Sequence, residues 1–387
     1  MKNRRIFLIC IGLIFLIGTV EPKCFANDPF NTYQFNRTNY LRRNGKEDDQ
    51  PWFEWWYYKV VLPEKNKSYY FVYGVVNPWD RSQIPQYSTT RAYVSMGDFS
   101  SAKLIEQQFK ANEFNASYHS TEIQVGASHS KILNQATDKR LIGSIESTTG
   151  DTSQWNISIE RKWTFNATGS ATGKNLTSIE WYPAQADARC SGEVIVNGQV
   201  EVFENAPCYQ DRNWGSQFPE WWAWVVSNHF ENSPDTTLVI GGGKPTLFNF
   251  YKDLQGVTIG FKYQGKEYNW LPYDVPFIKF NINYGHWEIE ADKPNVRIKI
   301  SARAPKEKFM DLQFVTPQGP TFHDYEALQG DLDVELYERK TPIEPWHLKA
   351  HLQSHHAGLE FGSYHVFSNT ELHQLQLCLS GCLTNTF

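Results

Sequence analysis

Two short stretches of this chain bring together residue types that could do chemistry. The first runs Pro51-Trp52-Phe53-Glu54-Trp55-Trp56-Tyr57-Tyr58-Lys59-Val60 and is followed by the aromatic run Tyr69 to Trp79. Glu54 is set among aromatics, and a carboxyl desolvated by such neighbours has its pKa raised. That would make it a general acid near neutral pH, unless it is paired with an Arg or Lys from elsewhere in the chain. The second stretch, Cys208 to Phe230, holds Asp211, Arg212, Asn213, Trp214, Trp221, Trp222, Trp224, Asn228 and His229. On a strand, Trp222 and Trp224 share one face and Trp221 takes the other. Polar residues between large aromatics usually meet hydrogen-bond partners or a ligand. The stretch therefore suits the wall of an apolar cavity with a few fixed polar groups, or a core strand after a polar turn.

Other constellations carry less. His347, His351 and His355 recur every four residues, a spacing that would share one helix face and permit zinc ligation, yet the leucines around them fit strands and turns as well. The adjacent pair His355-His356 is not a ligand spacing. Gly241-Gly242-Gly243 follows Leu238-Val239-Ile240 but lacks the Lys-Ser/Thr of a phosphate loop, so it is a turn. There is no Gly-x-Ser-x-Gly elbow.

These residues need elements to hold them, and the chain reads as strands. Aromatic residues make up 15% of it, which favours β structure. Apolar residues alternate at Trp155, Ile157 and Ile159, at Val296, Ile298 and Ile300, and at Leu332, Val334 and Leu336. Asn197-Gly198 between two strand patterns predicts a two-residue hairpin. Helical periodicity is scarce, and Ala102 to Phe109 is its best candidate. The expected fold class is all-β, with two antiparallel barrel or sandwich domains. The first covers about 46–205 and the second about 206–363. An irregular arm at 27–45 precedes them and an irregular tail at 364–387 follows.

The start of the chain has the form of a secretory signal peptide. Lys2, Arg4 and Arg5 precede an apolar run from Ile6 to Val20, and Cys24-Phe25-Ala26 offers a cleavage site. The expectation is a cleaved segment 1–26 and a secreted or periplasmic protein. The formal net charge of −5 becomes −8 once that segment is gone, because it carries four basic residues and one acidic. A mildly acidic chain with interspersed charges has no electrostatic case for nucleic acid. Four cysteines then remain, Cys190, Cys208, Cys378 and Cys382. Cys190 and Cys208 flank the expected hairpin and are a plausible bridge, although free thiols fit equally.

In motif order and content the chain resembles the tocopherol cyclase family over about residues 50–363. Phe53-Glu54-Trp55-Trp56-Tyr57 resembles the family's Phe-Glu-Gly-Trp-Tyr segment, and Tyr73-Gly74-Val75-Val76-Asn77-Pro78 its Tyr-x-Val-x-Asn-Pro segment. Asp211-Arg212-Asn213-Trp214-Gly215 stands where the family has Glu-Lys-Asn-Trp-Gly. Phe218-Pro219, Asn228-His229-Phe230, the glycine triplet, Gly285-His286-Trp287 and Gly330-Asp331-Leu332 follow in family order. Two departures are Trp55 in place of glycine and Asp211-Arg212 in place of Glu-Lys.

The resemblance implies tandem lipocalin-like β domains, related to carotenoid hydratases, and acid-catalysed closure of a prenylated quinol to a chromanol. Such chemistry needs a desolvated acid, a long apolar slot and exclusion of water, with no metal or redox cofactor. It makes Glu54 and Asp211 the candidate acids. It assigns Trp56, Tyr73, Asn77, Trp214, Trp222, Trp224 and Asn228 to substrate binding, with Arg212 and Asn213 holding a polar head group. If Asp211 pairs with Arg212, Glu54 becomes the better proton donor. The implied partner is an amphipathic lipid or prenyl quinol, which would bring the protein into peripheral membrane contact. The other functions these residues admit are an exported carrier of a lipid or isoprenoid without turnover, and an isoprenoid hydratase or isomerase.

Overall fold

The structure, a computed structural model, describes residues 28–35, 51–78, 89–126, 134–248, 250–253 and 255–366. The expected signal segment, most of the expected arm, and Cys378 and Cys382 lie outside these. The described chain is nearly all-β, as expected, and its helical segments are short 3-10 turns.

The first sheet comprises β1 (Phe53–Leu62), β2 (Lys67–Val76), β3 (Arg91–Asp98), β4 (Lys103–Phe109), β5 (Phe114–Ala116), β6 (Glu122–Val125), β7 (Asn134–Thr137), β8 (Arg140–Glu146), β9 (Thr152–Trp163), β10 (Ile179–Val196) and β11 (Gln199–Gly215). Its spatial order is β4-β3-β2-β1-β11-β10-β9-β8-β7-β6-β5, every pair antiparallel. The ends curl together: Gln107 on β4 accepts the Glu146 N–H of β8 at 3.0 Å, and Lys103 reaches Asp151 at 2.7 Å. The result is a nearly closed barrel.

A second barrel-like sheet follows, made of β12 (Trp221–Ser227), β13 (Thr237–Gly243), β14 (Gly256–Tyr263), β15 (Lys266–Trp270), β16 (Ile278–Asn283), β17 (His286–Lys293), β18 (Val296–Arg303), β19 (Met310–Val315), β20 (Thr321–Glu338) and β21 (His347–Ser363). Its order is β15-β14-β13-β12-β21-β20-β18-β17-β16, with β19 paired to β20. The two sheets are tandem antiparallel barrel-like domains, as expected. The domain boundary expected at 205/206 falls inside β11, which stays in the first sheet to Gly215, so the chain changes barrels at residues 216–220.

The alternating runs lie where the pattern puts them, in β9, β18 and β20. Asn197 and Gly198 join β10 to β11 with positive φ of 49° and 80°, which the backbone twist of a two-residue hairpin requires. Cys190 and Cys208 form a disulfide across that hairpin. The helix expected at Ala102–Phe109 is strand β4 instead, where pairing to β3 overrides weak local periodicity.

Strand alternation sorts the apolar residues into three layers. Trp56, Tyr58, Val60, Phe71 and Tyr73 fill the first barrel, and Trp221, Ile240, Trp270, Trp287 and Ile300 fill the second. Phe53, Trp55, Tyr57, Phe218, Trp224 and Phe322 form a third layer where the β2-β1-β11 face meets the β12-β21-β20 face. Two glycines of β21 make that layer possible. A Cβ at Gly358 would lie 2.4 Å from the Trp224 ring and one at Gly362 2.5 Å from Trp222 Nε1, so both tryptophans lie flat across β21 only because those side chains are missing.

Candidate active site

The register of the central strands builds a cavity between the barrels. On the first sheet Tyr57 pairs with Asp211 and Trp55 with Asn213, and all four side chains turn toward the second sheet. On the second sheet Glu360 of β21 pairs with Trp224 on one side and Glu326 on the other, while Gly362 pairs with Trp222 and Asp324. These rows enclose a cavity of about 280 Å³, walled by Trp55, Trp181, Trp222, Trp224, Leu312 and Phe314 among others. Four carboxyls face it: Asp211 from one sheet, and Asp324, Glu326 and Glu360 from the other.

Each carboxyl is held differently. Asp211 Oδ2 accepts the Trp181 Nε1–H at 2.7 Å and the Tyr209 hydroxyl at 2.8 Å; Asn213 Nδ2 lies 3.4 Å from Oδ1. Burial pushes the Asp211 carboxyl up to about 7, against the pull of Trp181 and Tyr209. Asp324 accepts the Trp222 Nε1–H at 3.0 Å and is hydrogen-bonded to Glu360. Glu326 accepts the Tyr57 hydroxyl on Oε1, and its buried Oε2 has no partner among the described residues. Burial, then repulsion from one another, raises all three far above the usual carboxylate range. So many buried carboxyls cannot all be ionised, and the hydrogen bond between Asp324 and Glu360 requires a proton on at least one of the two.

A fully buried lysine stands beside this group. Lys59 Nζ donates to the Val226 carbonyl at 3.2 Å and sits 5.7 Å from the centre of the Trp224 ring. Burial lowers its pKa to about 7, while Glu326 acts to raise it.

The structure separates the expected site residues by strand face. Asp211, Asn213, Trp222 and Trp224 line the cavity. Glu54 does not: it sits on the opposite face of β1 from Tyr57, ion-paired with Arg212. It also accepts the backbone N–H groups of Gln34 (2.9 Å) and Phe35 (3.2 Å) and the Trp52 Nε1–H (3.2 Å). Burial outweighs the pull of Arg212 and the three N–H groups and pushes this carboxyl up to about 7. The guanidinium keeps its proton, so Glu54 is committed to a buried ion pair on the face of β1 turned away from the cavity.

Arg212 is correspondingly not a head-group ligand. It is fully buried between Trp56 (4.8 Å) and Trp214 (4.4 Å) and donates to the carbonyls of Phe30 and Thr32 at 2.6 Å. The expected Asp211–Arg212 pair is absent because adjacent strand residues point to opposite faces. Together, Glu54 and Arg212 clamp residues 28–35 onto the first barrel.

The other expected ligands are also structural. Tyr73 lies inside the first barrel, donating to the Ile142 carbonyl and accepting from Trp155 Nε1, both at 2.8 Å. Asn77 bridges the sheets through Thr89 (2.7 Å) and the Pro317 carbonyl (3.0 Å). Asn228 donates to the Cys208 carbonyl at 2.6 Å. His347, His351 and His355 lie on strand β21, not a helix, where four residues span roughly 13 Å. His351 and His355 bond Asp333 and Asp331 instead.

Tyr57, Lys59, Trp181, Asp324, Glu326 and Glu360 were missed from sequence. A signal existed for three. Asp324-x-Glu326 places two acids on one face of an aromatic strand, and Glu360 stands between Gly358 and Gly362. Nothing local marks Trp181.

Known proteins resemble this chain along its length. The family model described as tocopherol cyclase-like matches residues 50–363. The probable chloroplastic tocopherol cyclase of Oryza sativa subsp. japonica is 25% identical over 365 residues, covering 81% of this chain and 76% of its own. The chloroplastic tocopherol cyclase of Zea mays is 24% identical over 368 residues, covering 81% and 75%. Among solved structures, kievitone hydratase from Nectria haematococca aligns over 81% of this chain and 90% of its own, at 12% identity and a TM-score of 0.44.

Proposed function

Because the chain belongs to the tocopherol cyclase-like family, we propose that it closes a ring on a prenylated quinol by acid catalysis in the cavity between its barrels. One observation carries the reading: a carboxyl poised near neutrality, Asp211, faces a tryptophan-walled cavity with a second carboxyl group opposite. Burying four carboxyls costs several kcal/mol, an expense that a passive carrier of neutral lipid has no use for.

In this proposal Asp211 is the proton donor. Its proton adds to the less substituted alkene carbon and leaves a tertiary cation. Trp181 and Tyr209 keep donating to Oδ2, so the conjugate base stays hydrogen-bonded after transfer. The faces of Trp55, Trp222 and Trp224 stabilise the desolvated cation by about 2 kcal/mol each. The phenolic oxygen then attacks the cation. Its proton returns to the Asp211 carboxylate left by the first step, which restores the acid, while Glu326, bonded to Tyr57, stays neutral. One proton enters and one leaves, so the reaction is an isomerisation with no change of oxidation state.

The partner in this reading is a membrane-borne lipid. Exposed Phe248, Phe250 and Tyr251 lie in the segment between the cavity residues Pro245 and Gln255, at a place where a lipid tail could enter. We also propose export, secreted or periplasmic; native protein beginning near Asn27 on N-terminal sequencing would support it.

The test is incubation with a prenylated hydroquinone in D₂O. The expected product is a chromanol with one non-exchangeable deuterium on the carbon beside the new C–O bond. A tertiary alcohol would mean a hydratase, and tight binding without conversion would mean a carrier.

A further inference from the structure

Outside the residues that line the cavity, two histidines and a glutamate converge at the end of β12. His229 and Glu231 follow that strand and His356 lies on β21. One ligand atom of each side chain lies within 4.8 Å of the other two. We propose that His229, Glu231 and His356 form a binding site for a divalent transition metal ion such as Zn²⁺.

The backbone positions are built rather than incidental. Ser227 and Ser354 are fully buried and hydrogen-bonded to each other through their hydroxyls at 2.9 Å. Each serine hydroxyl also accepts the backbone N–H two residues further on, that of His229 in one strand and of His356 in the other, both at 3.3 Å. A matched pair of serine turns thus presents the two imidazoles toward one point. Their ring centres are 5.7 Å apart. Glu231 is tied to the same strand, its N–H donating to the Gln353 carbonyl at 2.9 Å.

The side chains have capacity left over. His356 Nδ1 is a buried atom with no hydrogen-bond partner among the described residues. Glu231 is half exposed, and its Oε1 lies 3.9 Å from His229 Nε2, too far for a hydrogen bond. Neighbouring His351 and His355 already bond aspartates and are not part of the set.

The donor set selects the ion. Two imidazole nitrogens and one carboxylate oxygen suit Zn²⁺, Co²⁺ or Ni²⁺, whereas Mg²⁺ and Ca²⁺ prefer oxygen ligands. Rotation of the exposed Glu231 side chain and a small imidazole adjustment bring the donors to about 2.0–2.2 Å from a shared ion. Water would complete the shell. The ion would tie the segment after β12 to β21.

The experiment is titration of the full mature protein, free of any histidine tag, with Zn²⁺ by calorimetry and with Co²⁺ by visible absorption. One equivalent should bind, with the ligand-field bands of nitrogen-ligated Co²⁺, and Zn²⁺ should raise Tm. His356→Gln and His229→Asn should each abolish the bands and the rise in Tm, and Glu231→Gln should weaken binding by at least about tenfold. His351→Ala and His355→Ala should leave both intact. Stoichiometric binding lost equally on His351→Ala or His355→Ala would overturn the assignment. So would absence of binding by folded wild-type protein, or binding that His356→Gln and His229→Asn leave unchanged.

Discussion

Replacing Asp211 by Asn separates the energetic cost of the acid from its use. Asn keeps an acceptor for Trp181 and Tyr209 and nearly the same volume, but cannot ionise. In the folded protein burial moves the Asp211 carboxyl from 3.8 to about 7. Between these values the folded state binds a proton that the unfolded state has lost. Stability therefore falls as pH rises through this window and is flat above it. The full effect is on the order of 4 kcal/mol, at 1.36 kcal/mol for each tenfold change. Asp211→Asn should match the wild type in urea unfolding below pH ~4 and exceed it by up to that amount above pH ~7. Turnover should behave oppositely. Loss of a general acid costs about 10²- to 10⁴-fold in rate, or about 3–5 kcal/mol. Wild-type activity should itself fall as pH rises through about 7, because the neutral acid is the active form. A stability difference that does not change with pH, or a variant that retains its rate, would refute the reasoning.

Other perturbations follow from the same geometry. Glu54→Gln should leave the buried Arg212 without its carboxylate and destabilise the fold by about 3–5 kcal/mol; limited proteolysis should then cut near residues 28–35, which the pair clamps. Trp222→Ala removes a ring packed on Phe322 at 4.3 Å and on Trp55 at 6.1 Å, and should cost about 3–5 kcal/mol. In the same variant, titration by intrinsic fluorescence should show the dependence of affinity on isoprenoid tail length flattening. Replacing both Cys190 and Cys208 by Ala opens a link between residues 18 apart and should cost about 3 kcal/mol in urea unfolding.

The fold was legible because alternation is a local signal. The runs in β9, β18 and β20 and the Asn197-Gly198 hairpin each declare themselves within a few residues. The site was legible only in part, because its parts come from β1, β10, β11, β12, β20 and β21, and no local pattern shows which strand faces meet. Trp222 and Trp224 were placed by parity within one strand, and that parity holds. Glu54 shows the limit. It sits among aromatics as a catalytic acid might, but one step along β1 separates the barrel interior from the cavity. Its partner Arg212 lies 158 residues away. The alternative of a paired glutamate was visible from sequence, yet choosing it required the register of β1 against β11. The helix expected at Ala102–Phe109 failed for the same reason, since its pairing partner β3 outweighs its local preference.

The central claim is that the cavity holds a neutral carboxylic acid at physiological pH, and infrared titration tests it most directly. The protonated-carboxyl C=O band should persist in folded wild-type protein well above the normal carboxylate range. One component should bleach as pH rises through about 7 and be missing from Asp211→Asn. Full ionisation of every carboxyl in the folded wild type below that pH would contradict the account.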